Sequence, residues 1–211
     1  LIGLFYNRGT QWCQAPQSVN THDFPSYAEG RAIPYGIYDL HHNLGYVAVG
    51  KSADTPEFAV DAIAWWWSQF GSDCFPGVPE LLILADAGGS NGYRPRRWKQ
   101  QLQVKIADTF GLAVTVCHYP TGASKWNPIE HRLFSQISRT CAGTPLTSYD
   151  ILLDGLRSTK TETGLRVQAT SFDTIYQKGL SVTDTEMNLL MIQKHDTCPN
   201  WNYTIRPRFG K

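Results

Sequence analysis

An apolar run that ends in a carboxylate constrains the fold of this chain more than any other feature. Residues 81–86 are Leu-Leu-Ile-Leu-Ala-Asp, and a glycine-rich segment, residues 87–92, follows directly. A short apolar run bounded by turn residues is typical of a buried β-strand. In α/β proteins, acids at such strand ends bind ligands, and the neighbouring glycines let the backbone approach a phosphate or a metal ion. The alternative role for Asp86 is to cap the turn by bonding its own backbone.

Strand and helix patterns alternate along the chain. The predicted order is β-β-β-α-β-α-β-α, with strands at 1–6, 32–40, 44–49, 81–86 and 112–117 and helices at 55–71, 92–110 and 128–140. This order predicts an α/β fold in which an antiparallel meander precedes a β-α-β-α-β-α segment, giving a mixed sheet with helices on both faces. Further helices are predicted at 147–157 and 183–192. We expect a core over 1–145, a helical C-terminal extension over 146–205 and a basic flexible tail over 206–211.

Composition excludes several classes of protein. Of the 211 residues, 42% are hydrophobic, which is enough for a sizeable core, and no apolar run reaches the length of a membrane span. The net charge is +1, so nucleic-acid binding would depend on local basic patches. The five cysteines include no Cys-x-x-Cys pair, which argues against a zinc site and a disulfide framework. We therefore expect reduced thiols and a cytoplasmic location.

A second carboxylate, Glu130, lies in the first turn of the helix predicted at 128–140. Asn127, Pro128 and Glu130 fit a capping box, with Asn at the N-cap, Pro at the first position and Glu at the third. Capping alone would explain this glutamate. However, a helix packed against a sheet also directs a residue at this position toward the strand ends. A strand-end aspartate and a helix-borne glutamate that converge would be able to hold divalent metal.

Basic and imidazole side chains surround these two acids in the sequence. Four cations open the helix after Asp86 and form the best candidate surface for a DNA backbone: Arg94, Arg96, Arg97 and Lys99. The alternative is a solvated charged face. Lys125 is a candidate contact for a scissile phosphate, and His118, Asn127 and His131 are candidate accessory residues. The alternatives are a solvated lysine and histidines that serve only as structural hydrogen-bond partners.

Several segments together resemble one family of transposases. The two longest are residues 86–93, DAGGSNGY, and residues 118–134, HYPTGASKWNPIEHRLF. Shorter segments agree: HDFP at 22–25, IPYGIYD at 33–39 and WNYTI at 201–205. The chain resembles DDE transposases of the ISAzo13 type, also described as Rhodopirellula-type, over roughly residues 1–205. The Asn-Pro-Ile-Glu element also resembles the last catalytic segment of the wider IS630/mariner group.

The resemblance implies an RNase H-like fold and metal-dependent cleavage and strand transfer of DNA at transposon ends. Two Mg²⁺ or Mn²⁺ ions would be held by three carboxylates, of which Asp86 matches the second and Glu130 the third. The implied partners are DNA, as transposon ends and target, and further copies of the chain in a homo-oligomer. In a bacterium, the implied location is the nucleoid-associated cytoplasm.

One departure from the family pattern concerns the first acid. The family places it on the first strand, a few residues before a Leu-Ile-Gly stretch, and that stretch here is Leu1-Ile2-Gly3. The first acid is therefore absent from this sequence, and we expect a truncated first strand and a chain that is inactive or nearly so. Asp39 is a weak substitute, because we expect it to be a turn residue. The alternatives to a transposase domain are a non-catalytic remnant that binds DNA or self-associates, and a structure-specific nuclease.

Overall fold

The computed structural model of the chain describes residues 1–208, which form a mixed α/β structure with two sheets. The described residues form two compact units, each built from two segments: unit 1 is residues 1–52 and 127–175, and unit 2 is residues 53–126 and 176–208. The strands are β1 Ile33–Asp39, β2 Leu44–Gly50, β3 Glu80–Asp86, β4 Ala113–Tyr119, β5 Arg166–Phe172, β6 Ile192–Lys194 and β7 Asn202–Ile205. The α-helices are α1 Pro56–Trp66, α2 Ser72–Cys74, α3 Arg96–Gln101, α4 Ser135–Thr140, α5 Tyr149–Ser158 and α6 Asp184–Asn188.

Unit 1 contains a three-stranded sheet in the order β1-β2-β5. β1 and β2 pair antiparallel as a hairpin, and β5 pairs parallel to β2. The hairpin turn is fixed by Asp39, whose Oδ1 accepts the backbone N–H groups of His41 and His42 at 2.9 and 3.1 Å. Asn43 adopts a left-handed conformation at φ 56° and accepts a hydrogen bond from the Tyr38 hydroxyl at 2.7 Å. These contacts confirm the interpretation of Asp39 as a turn residue.

The core of unit 1 lies between β2 and the helical segments. Val47 and Val49 are fully buried and belong to one cluster with the leucines of α5 and with Leu133. Ser148 caps α5 by accepting the Ile151 N–H at 3.2 Å, which fixes where the leucine face begins. Each fully buried aliphatic side chain of this kind stabilises the fold by about 1.5–3 kcal/mol.

Unit 2 contains a four-stranded sheet in the order β3-β4-β7-β6. β3 and β4 are parallel, whereas β7 runs antiparallel to both β4 and β6. Parallel strands place their carboxyl ends at the same edge, so Asp86 and Tyr119, which are partners in register, end β3 and β4 together. The sheet thereby fixes the position of the segments that follow these two strands.

Helices α1 and α3, together with the π-helical segments that continue them, supply about half of the buried apolar side chains of unit 2. Thr55 caps α1 by accepting the Phe58 N–H at 3.3 Å, and Pro56 occupies the first turn, as the sequence pattern predicts. α1 continues as a π-helical segment, Trp67–Gly71, and α3 continues as another, Leu102–Asp108. The core residues Trp98, Leu102 and Ile106 are fully buried. Trp98 Nε1 donates to the Tyr203 hydroxyl at 3.0 Å, so this buried indole is satisfied.

The sequence-based fold was right in class and incomplete in detail. Helices cover most of the predicted helical ranges, and the mixed α/β class is confirmed. The predicted single mixed sheet is replaced by two mixed sheets. Residues 1–6 form only isolated bridges, Ile2 with Gly30 and Phe5 with Asn20, rather than the predicted strand.

The C-terminal part of the chain also differs from its sequence-based description. The predicted helical extension over 146–205 contains α5 and α6 but also the strands β5, β6 and β7. In the predicted tail, Arg206 N donates to Met191 O at 3.0 Å and Arg208 forms an ion pair with Asp108 at 2.6 Å. Residues 209–211 of that tail lie outside the described residues. The proposed domain boundaries stay predictions. Of the helices in residues 1–208, none has the length and apolar character needed to cross a membrane.

Candidate functional site

The Asp86 carboxylate is exposed at the end of β3 and lines a cavity of about 520 Å³ within unit 2. The cavity is formed by the segments that follow β3 and β4, namely residues 86–89, 93–95, 120–122 and 124. Most of this lining is glycine, proline and small hydroxyl side chains. The strand end therefore presents a carboxylate beside an open, mostly uncharged concavity.

Glycines shape the segment that follows Asp86. Gly89 has φ 79°, a left-handed value that favours glycine, and its carbonyl accepts the Gly92 N–H at 3.3 Å. A Cβ at Gly92 would lie 2.7 Å from the Ala87 carbonyl oxygen, so this close approach requires glycine. At Gly88, by contrast, a Cβ would meet nothing within 4 Å. The turn is thus tightly packed at Gly92 and open at Gly88, which lines the cavity.

His118 ties this segment to the sheet. It is a buried residue of β4, 7% exposed, and its two ring nitrogens lie near two backbone carbonyl oxygens. Nδ1 is 2.8 Å from Trp201 O, and Nε2 is 3.0 Å from Asn91 O. Which ring nitrogen donates depends on the tautomer. His118, predicted as an accessory residue, is therefore a hydrogen-bonded link between β4 and the Asp86 segment.

Tyr93 is the second fixed point of the segment. Its ring stacks on Trp201, with centroids 4.9 Å apart and planes inclined by 25°. Its carbonyl accepts a hydrogen bond from Lys99 Nζ at 2.7 Å. Burial, followed by the nearby like charges of Lys194 and Arg96, lowers the pKa of Lys99. Lys99 thus acts as a partly buried donor that holds the backbone of Tyr93.

The four cations predicted to form a DNA-binding patch differ in their surroundings. Arg97 is paired with Glu57, and Arg96 is 2.6 Å from Asp184. Lys99 is directed to the Tyr93 carbonyl, as described above. Arg94 is exposed, lines the Asp86 cavity and forms no ion pair within residues 1–208. The structure therefore singles out Arg94 from this cluster as the cation beside the cavity.

Glu130 belongs to unit 1 and begins a π-helical segment, Glu130–Phe134, that continues into α4. Buried Asn127 starts this segment: its Oδ1 accepts the Ile129 N–H at 3.4 Å, and its carbonyl accepts the Glu130 N–H at 3.2 Å. The capping role predicted for Asn127 is therefore present. Glu130 is half-buried, and Leu133 on the same segment is fully buried in the unit 1 core. This packing fixes the turn of helix that carries the carboxylate.

Lys125 and His131 lie on either side of Glu130 in the sequence, and both are exposed. Lys125 lies in unit 2, where its Nζ is 5.1 Å from the ring centroid of Trp126, itself 70% exposed. The His131 carbonyl in unit 1 accepts a hydrogen bond from the Ser135 hydroxyl. The functional roles predicted for Lys125 and His131 stay predictions.

In the described part of the chain, the candidate metal ligands are single carboxylates. Residues 1–208 contain no group of three His, Cys, Asp or Glu side chains placed to hold a metal ion. The donor chemistry of Asp86 nevertheless suits a hard cation such as Mg²⁺, which binds few protein carboxylates and keeps several waters. An exposed carboxylate beside an open cavity leaves room for those waters. Asp86 and Glu130 belong to different units, so their joint action stays a prediction.

Tyr93 and Trp201 contribute to this site and were not among the residues predicted from the sequence. Tyr93 directly follows the glycine-rich segment, and Trp201 begins the Trp-Asn-Tyr segment near the C-terminus. The aromatic residue at each position was the available signal. Their stacking could not be deduced, because it depends on the pairing of β7 with β4, whose partner residues are 85 or more positions apart in the sequence.

Comparison with known proteins decides the family. The sequence profile of the Rhodopirellula transposase DDE domain matches residues 1–207. The chain belongs to this family. Transposase DDE domains generally use divalent metal ions, and membership of the family indicates a transposase catalytic-type domain and suggests DNA as a partner. Comparisons with curated proteins and with solved structures gave no match. The relation to the IS630/mariner group stays a hypothesis.

Proposed function

We propose that this transposase DDE domain carries out divalent-metal-dependent cleavage of DNA and transfer of the cut strand at transposon ends. The observation that carries the proposal is the exposed Asp86 carboxylate at the end of β3, beside a cavity of about 520 Å³, in a chain of this family. Acids at the carboxyl ends of parallel strands are a common location for ligand-binding groups in α/β proteins.

Asp86 and Glu130 are the residues that we propose hold Mg²⁺ or Mn²⁺ and serve as catalytic carboxylates. When bound, the metal would activate a water or a 3′-hydroxyl and stabilise the leaving oxygen. Asn127 would position Glu130 by fixing the first turn of its helical segment. Lys125 would contact a DNA phosphate as a point charge, and His131 would assist from the same segment as Glu130. DNA is the proposed partner, as transposon ends and as target.

Nicking of supercoiled plasmid in the presence of Mn²⁺ tests this proposal. We expect Asp86→Asn and Glu130→Gln each to lower the nicking rate by about 100-fold or more, as for loss of a catalytic group. Asp73→Asn and Glu162→Gln are matched controls, because both side chains are exposed and lie outside the candidate site. The absolute nicking rate of the wild-type chain tests the prediction, made from the sequence, that its catalysis is impaired. Nicking that persists in both carboxylate variants would contradict the proposal.

The non-catalytic DNA-binding remnant is the second candidate, favoured by the exposed Arg94 beside the cavity. It predicts DNA binding with a steep salt dependence that Asp86→Asn and Glu130→Gln leave unchanged. Binding of this kind, with no nicking even at protein in excess over plasmid, would replace the catalytic proposal by this one. The same nicking and binding measurements therefore separate the two candidates.

A further inference from the structure

We propose that the cavity beside Asp86 is a binding subsite for a DNA phosphodiester, and that Arg94, oriented by Tyr93, is the residue that contacts it. This inference deepens the proposed function and rests on it for the identity of the ligand as DNA. It assigns one cation of the basic cluster to the subsite rather than the cluster as a whole.

The shape of the cavity fits a backbone phosphate. Gly88, Gly89 and Gly122 line it, and a Cβ at any of these positions would meet no atom within 4 Å except the Asn91 side chain, 3.8 Å from Gly89. Backbone without side chains allows a ligand to come close to main-chain N–H groups. Thr121 and Ser124 add hydroxyl groups to the lining. A volume of about 520 Å³ lies within the usual range of ligand-binding cavities.

Arg94 is the cation that this geometry leaves available. Its Nε donates to the Tyr93 hydroxyl at 2.9 Å, and its guanidinium carbon lies 5.2 Å from the centroid of the Tyr93 ring. Because Nε makes this bond, the two terminal nitrogens remain as the fork that matches phosphate oxygens. Arg96 and Arg97 are instead paired with Asp184 and Glu57.

Tyr93 holds this arginine in place because it is itself anchored on both sides. Its ring stacks on Trp201 at 4.9 Å, and its carbonyl accepts a hydrogen bond from Lys99 at 2.7 Å. An exposed arginine ordinarily loses side-chain freedom when it binds, and this loss weakens binding. Prior orientation by the Tyr93 hydroxyl reduces that loss. The subsite therefore needs the hydroxyl of Tyr93 as well as the charge of Arg94.

Fluorescence anisotropy with a labelled DNA oligonucleotide in EDTA, where metal-dependent cleavage is suppressed, tests the inference. We expect Arg94→Gln to weaken binding about tenfold, as for loss of a charge-assisted hydrogen bond. The salt dependence should fall by about one released counterion. Arg94→Lys should keep the salt dependence, because the charge is unchanged. It should lower the affinity, because lysine lacks the Nε–H group that donates to the Tyr93 hydroxyl. Tyr93→Phe keeps every charge and the aromatic ring, yet should weaken binding about threefold.

The control is Arg96→Gln, which removes the same charge from an arginine that Asp184 already pairs. Equal losses for Arg94→Gln and Arg96→Gln would overturn the inference in favour of a general basic surface. Unchanged binding in Arg94→Gln, or in Tyr93→Phe with the fold intact by near-ultraviolet circular dichroism, would overturn it as well. If inorganic phosphate displaced DNA equally well from the wild type and from Arg94→Gln, the anion would bind elsewhere and the inference would be overturned. Because this assay needs no cleavage, its failure is distinct from failure of the nicking experiment.

Discussion

The Nε2 atom of His118 lies 3.0 Å from the carbonyl oxygen of Asn91, and this contact fixes the segment that follows Asp86 to strand β4. The other ring nitrogen, Nδ1, lies 2.8 Å from Trp201 O. One buried imidazole thus joins three parts of unit 2: the β4 strand, the glycine-rich segment and the start of β7. His118 does not line the cavity, but its ring holds in place the segment after Asp86 that does.

Replacing His118 by glutamine should loosen this segment. Two ring nitrogens at different positions contact the two carbonyl oxygens, and the single amide nitrogen of glutamine cannot occupy both positions. We expect the loss of one hydrogen bond, at about 0.5–1.5 kcal/mol of unfolding free energy. We expect amide hydrogen exchange at residues 91–93 to accelerate more than exchange in the unit 2 core. His22→Gln is the control, because His22 is exposed. Equal acceleration throughout unit 2 would mean that His118 contributes only to global stability.

Two glycines of the same segment should differ sharply in their tolerance of alanine. At Gly92 a Cβ would lie 2.7 Å from the Ala87 oxygen and 3.0 Å from the Gly88 carbonyl carbon, and backbone cannot move aside without distorting the turn. We expect Gly92→Ala to lower the unfolding free energy by about 1–3 kcal/mol. Gly88→Ala, with open space around its Cβ, should change it by less than about 0.5 kcal/mol. Thermal denaturation of the two variants in parallel checks this, and equal midpoints would contradict the described turn.

The ion pair between Asp108 and Arg208 should make stability depend on acid pH. Burial opposes the charge of Asp108, but hydrogen bonds from the Arg208 backbone and side chain and from Gln103 outweigh it and lower the pKa of this carboxyl. A lowered pKa contributes stability above the unfolded value of about 4, and this contribution is lost as pH falls through the folded value. We expect Asp108→Asn to cost about 1 kcal/mol at neutral pH and nothing at strongly acid pH.

Chemical denaturation across this acid range measures the effect of Asp108. Asp196→Asn is the control, because Asp196 is exposed in the same unit. A difference between wild type and Asp108→Asn that stays constant down to strongly acid pH would show that packing, and not the charge, accounts for the loss.

Local sequence signals predicted the elements that depend on neighbouring residues. Residues only a few positions apart in the sequence predicted three features: the Thr55 cap, the β1–β2 turn at Asp39 and the acid at the end of β3. Strand β5 was missed although Val167 and Ala169 alternate with polar residues, because seven residues of weak alternation do not distinguish a strand from a loop. Its partner, β2, lies more than 100 residues earlier in the chain, so the pairing is not a local property.

The candidate site, too, could be predicted from sequence only where its residues are close together in the chain. Asp86 and its glycines could be recognised from sequence, since the run, the acid and the turn are contiguous. The ion pairs within the basic cluster could not be recognised from sequence. Arg97 is paired with Glu57, 40 residues earlier, and Arg96 with Asp184, 88 residues later. Charge counts along a segment do not reveal which cations are neutralised in the fold. The role proposed for Arg94 rests on the tertiary partners of its neighbours.

Paramagnetic broadening of backbone amide signals by Mn²⁺ tests the central claim, that the Asp86 carboxylate is a metal ligand, most directly. At Mn²⁺ well below the protein concentration, we predict selective broadening of the signals of residues 86–92. Asp86→Asn should abolish it, Glu130→Gln should weaken it, and Asp73→Asn should leave it unchanged. Broadening that is centred elsewhere, or that persists at residues 86–92 in Asp86→Asn, would contradict the account.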